Sequence, residues 1–367
     1  MKFADVLEIK NGRNQRQVEN PDGRYPIYGS GGVMGRADDY ICEAETVVIG
    51  RKGSINNPIF VNEPFWNVDT AFGLIAKRDV LLPKYLYYFC VNFDFEKLNT
   101  TVTIPSLTKA NLLQIEIDLP TLEEQKKVVD VLDKVTNLVE LRQQQLAKLD
   151  ELVKARFVEM FGDPFLNLMN WNKIKIANAV TVEPQNGMYK PQSNYVTDGT
   201  GTPILRIDSF YDGEVTDFSL LKRLVCNEEE KQKYALREDD IIINRVNSIE
   251  YLGKCARIAG LKEETVYESN MMRMHFDSKR FNPIYIIQLL CSQFIYRQIV
   301  NHAKKAVNQA SINQKDVLDF DIYEPPIELQ NTFGGFVKQT EQLKLPIQKS
   351  IEQMETLKKA LMQQYFG

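Results

Sequence analysis

Lys10-Asn11-Gly12-Arg13-Asn14-Gln15-Arg16-Gln17 packs into one short stretch the side chains whose donors and acceptors match the edges of DNA bases. Arginine pairs with guanine there, and asparagine or glutamine with adenine. An ordinary solvated loop has the same composition, so this stretch by itself leaves both readings open. Arg51-Lys52-Gly53-Ser54 follows the apolar run Val47-Val48-Ile49, which brings its charges out at the end of a strand, and Arg245, Asn247 and Ser248 follow Ile241-Ile242-Ile243 in the same way. Lys304-Lys305-Ala306-Val307-Asn308-Gln309 carries positive charge with no acid nearby, as contacts to phosphate require. Its counterpart, Asn99 to Ile104 with Thr101 and Thr103, is neutral but rich in hydroxyls. Asn186, Tyr189 and Lys190 parallel the Lys10 stretch later in the chain, and Ser30 of a glycine-rich loop completes the candidate contacts.

Enzyme chemistry finds less support. Gly29-Ser30-Gly31-Gly32-Val33-Met34-Gly35 misses the dinucleotide pattern GxGxxG because Met34 stands where the last glycine belongs, and it follows Tyr25-Pro26-Ile27-Tyr28 without opening a helix. A plain glycine-rich loop is the expectation. The phosphate-loop pattern GxxxxGK[ST] is absent, and Pro325-Pro326 lies between Glu324 and Ile327, unlike the Asn/Asp-Pro-Pro-aromatic setting of adenine methylases. Only two histidines occur, His275 and His302, and neither has the neighbours of a triad or a zinc site; His302, before Lys304-Lys305, reads as solvated or phosphate-facing. Cys42, Cys90, Cys226, Cys255 and Cys291 are odd in number and lack CxxC spacing, as expected of reduced core thiols. No catalytic residue, metal or cofactor is therefore expected of this chain.

The elements that must position these loops repeat along the chain. Ser106 to Gln125 (SLTKANLLQIEIDLPTLEEQ) is matched by Ser311 to Gln330 (SINQKDVLDFDIYEPPIELQ) at an offset of 311 − 106 = 205, and Leu152 to Gly162 is matched by Leu357 to Gly367 at the same offset. Such self-similarity means two copies of one plan. In each copy a strand-like alternation (Ile115, Ile117, Leu119; Phe320, Ile322) is followed by proline and then by heptad-like apolar spacing. The expected packing residues are Val128, Val135, Leu138, Leu149 and Leu152 in the first helix, and Phe333, Phe336, Leu343, Ile351, Met354 and Leu357 in the second. About forty residues at 1.5 Å each make a rod of roughly 60 Å. Two such stripes in one chain bury each other, antiparallel because each leaves one globular unit and runs toward the other. Pro346, where the first helix has Leu141, predicts a kink or brief break in the second. Between turn-rich segments, short strands are expected at 46–49, 57–61 and 71–75, with a helix after Pro83.

The boundaries that follow are 1–120 for a first globular unit, 121–162 for the first helix, 163–325 for a second globular unit and 326–367 for the second helix. The fold class is α+β. With 367 residues and a net charge of −4, the chain has ample material for cores and is not a wholly basic binder, so any nucleic-acid face must be local. The apolar run Ile284 to Tyr296 is short and carries Gln288, Ser292 and Gln293, and Asp5 and Glu8 occupy the place of a secretory apolar region, so neither a membrane span nor export is expected. The cytoplasm is left by default.

Taken together, the repeated Pro-x-x-Glu-x-Gln segments leading into heptad helices, the Leu152-Val153-Lys154-Ala155…Phe161-Gly162 and Leu357-Lys358-Lys359-Ala360…Phe366-Gly367 ends, Tyr25 to Gly32, and Val48 to Ser54 resemble the specificity (S) subunit of bacterial type I restriction-modification systems. The resemblance spans the chain. It implies two α/β target recognition domains, each reading one half of a bipartite, asymmetric sequence in double-stranded DNA, separated by two long helices that form an antiparallel coiled coil. It also implies partners: two methyltransferase (M) subunits held by the helices and, through them, restriction (R) subunits. S-adenosylmethionine then belongs to M, and ATP with Mg to R. The alternatives are a coiled-coil scaffold or adaptor that reads no DNA, which leaves two parallel polar-loop domains unexplained, and a stand-alone methylase or nuclease, which the missing motifs oppose.

Overall fold

In the computed structural model, residues 1–99, 106–211, 213–215, 217–307 and 309–367 are described. Two units emerge. Unit 1 comprises Met1–Leu146 with Pro346–Gly367, and unit 2 comprises Ala147–Leu345.

Unit 1 opens with α1 (Phe3–Val6) and β1 (Leu7–Asn11), followed by β2 (Tyr25–Gly29), β3 (Gly32–Ala37), β4 (Thr46–Gly50), β5 (Ile59–Val61), β6 (Trp66–Asn67) and β7 (Ala71–Ala76). Its main sheet has the order β1-β7-β4-β5, all antiparallel, and a smaller one runs β3-β2-β6. All five residues of β4 are buried, because the strand is central and covered on both faces. Val47, Ile49, Phe72 and Leu74 pack against Leu86, Phe89 and Cys90 of α2 (Pro83–Asn92), whose first residue is a proline with no N–H to satisfy. After α3 (Lys109–Leu113), the expected strand at Ile115–Leu119 is reduced to one bridge, Glu116 to Lys2. Its partner is only the chain's first three residues: Met1 N donates to Ile117 O and Phe3 N to Ile115 O. The unit closes with the first part of α4 (Leu122–Phe161).

Unit 2 follows with β8 (Asn172–Lys175), β9 (Val180–Asn186), β10 (Tyr195–Val196), β11 (Thr202–Leu205), β12 (Phe210–Tyr211), β13 (Gly213–Val215), β14 (Lys222–Leu224) and α5 (Glu228–Tyr234). Then come β15 (Ile241–Asn244), β16 (Val246–Asn247), β17 (Cys255–Arg257), β18 (Val266–Tyr267), β19 (Met271–Phe276), α6 (Pro283–Leu290) and α7 (Gln293–His302). The hairpin β20 (Lys304–Lys305) and β21 (Ala310–Ser311), α8 (Gln314–Leu318), β22 (Asp321–Glu324) and α9 (Ile327–Phe366) complete the order. The main sheet is β12-β13-β17-β15-β19-β9. Ile241, Ile243, Met272 and Met274 from its centre form one core with Leu289 and Leu290 of α6 and with Phe157, Phe161 and Phe333. Inside this unit the two long helices run antiparallel. Phe161 meets Phe333 at a ring distance of 5.5 Å, while Asp150, further back on α4, pairs with Lys344, further forward on α9.

The glutamine of the repeated Pro-x-x-Glu-x-Gln segment explains itself here. Gln125, fully buried, accepts from Leu82 N at 2.9 Å and donates to Val80 O and Pro120 O at 2.9 and 3.0 Å. Gln330, also fully buried, accepts from Asn282 N at 2.9 Å and donates to Arg280 O and Pro325 O at 3.0 and 2.8 Å. Each side chain closes main-chain groups that no helix or strand satisfies, and so ties the start of a long helix to the start of a shorter one.

The least exposed row along α4 steps through Gln125, Val128, Leu132, Val135, Val139, Arg142, Leu146, Leu149, Val153, Arg156 and Met160. The alternating steps of three and four are the signature of a heptad. On α9 the row is Gln330, Phe333, Val337, Thr340, Lys344, Ile347, Ile351, Met354, Lys358, Leu361 and Tyr365. Five expected packing residues lie off these rows, and four of them are exposed. Leu138 and Leu152 are 45% and 48% exposed, and Leu343 and Leu357 are 59% and 50% exposed. Each stands one residue before a row position (Val139, Val153, Lys344, Lys358), about 100° round the helix. Polar residues with long apolar stems fill the row beside them. Phe336, half-buried, packs below the Arg156 guanidinium. α9 is unbroken through Pro346. Gln342, whose carbonyl loses its partner to the proline, is exposed, so water is available to that oxygen.

Candidate nucleic-acid interface

In unit 1 the end of β1, the end of β4 and the start of β7 meet at one edge, with Asn11 opposite Phe72 and Gly50 opposite Ala71. Beyond the last pairs the loops are held mainly by main chain, with Trp66 Nε1 also donating to Arg13 O at 3.0 Å. Gly12 N donates to Ala71 O, Arg13 N to Asn67 O at 2.8 Å, Arg51 N to Thr70 O at 2.7 Å, and Leu107 N to Arg51 O at 2.9 Å. Lys52 forms a bridge to Ser106. Gly12 is required by proximity: a Cβ there would fall 1.8 Å from Val68 O. The glycine-rich loop is the turn of the β2–β3 hairpin, with Gly29 opposite Gly32, and its Ser30 lies against Gly50 together with Ser54. The edge thus gathers Asn11, Arg13, Ser30, Arg51, Lys52 and Ser54.

Three residues of the first stretch behave differently from expectation. Lys10 belongs to β1 rather than to a loop, and its ammonium pairs with Glu8 at 3.2 Å. Asn14 folds back, its Oδ1 accepting from Arg16 N at 2.9 Å, and Gln15 forms a turn whose carbonyl accepts from Val18 and Glu19. Arg13 and Arg16 remain exposed.

Unit 2 builds a frame of the same kind from other side chains. Asn186 lies opposite Met272, Gly187 N donates to Met271 O at 3.0 Å, Met188 N to Tyr267 O at 2.8 Å, Arg245 N to Asn270 O at 2.8 Å and Ile312 N to Arg245 O at 3.0 Å. A Cβ on Gly187 would meet Glu268 O at 2.2 Å. Val246 pairs with Ser311, which also pairs with Lys304, so β16-β21-β20 is one small sheet beginning beside Arg245. Arg245 donates through Nη1 to Ser269 O at 3.2 Å, while its buried Nε has no partner among the described residues. Asn247 Oδ1 accepts from Ser248 N. Tyr189 is exposed, as are Lys304, Lys305 and Gln309, and neither lysine has a carboxylate partner among the described residues. Lys190 is the exception, ion-paired with Glu230 at 2.6 Å and mostly covered. Thr101, Thr103 and Asn308 lie outside the described residues.

Neither histidine faces solvent freely. His302 bonds Gln298 O at 2.8 Å through Nδ1 and Asp319 at 3.3 Å through Nε2, so it anchors α7 instead of waiting for phosphate. His275 Nδ1 lies 2.9 Å from the buried Asp240, which Arg273 also approaches. Burial raises the Cys42 thiol to about 12, as befits a core residue, whereas Cys291 is exposed, contrary to expectation. Among the described residues no group of three or more His, Cys, Asp or Glu is arranged to hold a metal, and no helix is long and apolar enough to cross a membrane. Pattern reading passed over Val307, 98% exposed at the hairpin tip, since a lone valine among polar residues carries no sequence signal.

Main-chain frames that carry Arg, Asn, Ser and Lys at strand ends present the side-chain types that can contact DNA phosphates and base edges. Residues 1–151 match the family described as Type I restriction modification DNA specificity domain. A putative type I restriction enzyme MjaX specificity subunit from Methanocaldococcus jannaschii is 31% identical over 183 residues, 50% of this chain and 42% of the relative. The type I restriction enzyme EcoKI specificity subunit of Escherichia coli K12 is 25% identical over 313 residues, 80% of this chain and 66% of the relative. The chain therefore spans less than two thirds of the length of these relatives. A crystal structure of a type I restriction-modification S subunit from M. genitalium shares the fold across 100% of this chain and 95% of that one, with a TM-score of 0.63 at 15% identity. Residues 1–151 thus match a type I restriction modification DNA specificity domain, and most of the chain is similar to specificity subunits of type I restriction enzymes.

Proposed function

We propose that the chain is the DNA-reading, non-catalytic specificity subunit of a type I restriction-modification complex, acting in the cytoplasm on a bipartite, asymmetric target. Residues 1–120 and 163–325 are its two recognition domains, one per half-site, built on a plan repeated at an offset of 205. Residues 121–162 and 326–367 are the helical regions, paired as an antiparallel coiled coil, and they hold two M subunits and, through them, R subunits. S-adenosylmethionine serves M, and ATP with Mg serves R.

The observation that carries this reading is the recurrence of one main-chain frame with different side chains. Arg51 and Arg245 are held by equivalent donor and acceptor bonds, to Thr70 and Leu107 in one case and to Asn270 and Ile312 in the other. Beside them one unit places Lys52 and Gly53 where the other has Val246 and Asn247, ahead of a serine common to both, Ser54 and Ser248. Two frames of one design bearing different contacts suit two different half-sites. Leu138 and Leu152 on α4, and Leu343 and Leu357 on α9, exposed at matching places, offer the apolar contact that a pair of like partners requires.

The test exchanges residues 1–120 for the same region of a relative and sequences the methylome of cells carrying the chimera with its M and R subunits. One half of the methylated sequence changes and the other half stays. A folded chimera that alters both halves, or a purified chain that methylates DNA unaided, refutes the proposal.

A further inference from the structure

The hairpin tip of unit 2 carries a side chain that protein folding does not use. Val307 is 98% exposed, while the next most exposed large apolar residue, Leu220, is at 80%. Water contact over a whole valine is unfavourable, and nothing in the fold offsets it. The main chain that carries it is nevertheless closed by hydrogen bonds. Ala306 N donates to Gln309 O at 2.7 Å across the turn, and Ser311 pairs on one side with Lys304 and on the other with Val246, the residue after Arg245. Lys304 and Lys305, exposed and without carboxylate partners among the described residues, stand directly behind the tip.

We propose that Val307 is an apolar wedge that enters the base stack of duplex DNA as this hairpin docks, unstacking one base step while the two lysines hold the flanking phosphates. The inference rests on the DNA-reading role argued above. An apolar side chain projecting from a basic, rigid support is what such insertion requires, because the burial of the side chain offsets the lost stacking. A second observation separates a wedge from a base reader. At the offset of 205 the sequence places Val102, between Thr101 and Thr103, where the second copy has Ala306, Val307 and Asn308. The flanking residues change from one copy to the other and the valine does not. Residues that set two different half-sites apart differ between the copies, whereas a residue present in both does what both halves share.

The experiment uses the full chain with an M subunit and short duplexes bearing the target found by methylome sequencing. 2-Aminopurine is placed in turn at each position of the half-site read by unit 2, outside the methylated adenine. Wild type should brighten one position several-fold on binding. Val307→Ala, at a site too exposed to affect folding, should leave that position as dark as free duplex and weaken binding to specific and random DNA alike by about tenfold. Val307→Leu should restore both. The wedge is overturned if no position brightens, or if Val307→Ala brightens it as wild type does. It is also overturned if replacing one thymine by uracil reproduces the loss in wild type, since the valine then reads a methyl group in the groove. Failure of wild type to bind any duplex removes the DNA-reading role itself, and the wedge with it.

Discussion

Replacing Lys304 and Lys305 together by alanine should flatten the salt dependence of DNA binding and leave sequence preference intact. Both side chains are exposed on β20, and neither is held by a carboxylate among the described residues, so both charges are available to phosphate. Each phosphate neutralised contributes about 0.9 to the slope of log K against log salt, so losing two contacts makes the slope less negative by about 1.8. Between about 50 and 200 mM salt, the double variant should therefore lose on the order of tenfold less affinity than wild type over the same range. Lys190→Gln is the internal control, because Glu230 already neutralises Lys190 at 2.6 Å. Its slope should stay at the wild-type value. Fluorescence anisotropy with labelled specific and random duplexes at a series of salt concentrations reads all three proteins. The reasoning is refuted if Lys190→Gln shifts the slope as far as the double variant, or if the double variant changes which half-site sequence is preferred.

Gly12→Ala and Gly187→Ala should each destabilise their own unit by about 1–3 kcal/mol in urea unfolding, since the new methyl meets Val68 O or Glu268 O. Gly31→Ala, which faces open space, should change stability by less than about 0.5 kcal/mol, and a larger effect would remove the steric explanation. Gln125→Leu and Gln330→Leu should each cost about 3 kcal/mol or more, because three main-chain groups lose their partner in each case, and a loss below about 1 kcal/mol would show that water replaces the amide. Two guanidinium bonds from Arg280 hold the Glu324 carboxyl below its usual range. This contribution is complete above the unfolded value of about 4.3 and is lost as pH falls through the lower folded value. Wild type and Glu324→Gln should thus differ in chemical denaturation at pH 7 and converge below about pH 4, and a gap that persists in acid would deny the ion pair its role.

The long helices were legible because apolar residues recur over many turns, and because proline and glutamic acid mark their starts. The phase of the packing row was less so. Leucines at 138, 152, 343 and 357 outweigh Arg142, Thr340, Lys344 and Lys358 in any apolar count, yet the latter occupy the row, because a long stem can cover apolar surface while its charged end finds a partner, as Lys344 does in Asp150 and Glu341. At the candidate interface, strand ends after Val47-Val48-Ile49 and Ile241-Ile242-Ile243 were readable from periodicity. The neutralisation of Lys190 was not, since Glu230 lies forty positions on and only the folded unit brings the two together. The bond of Asn14 Oδ1 to Arg16 N was not legible for a local reason: whether an asparagine in a turn bonds its own main chain depends on the turn's geometry.

The bonds that hold Arg51 and Arg245 in place come from N–H and C=O groups that every residue but proline possesses. Substitution at Arg13, Arg16, Tyr189 or Asn247 therefore leaves those main-chain bonds intact, and under the proposed function a lineage can sample new targets without passing through unfolded ancestors. Robustness of the scaffold and plasticity of its cargo are here the same property. A combinatorial library should vary those four positions freely and keep Gly12 and Gly187, where a single methyl group closes the route.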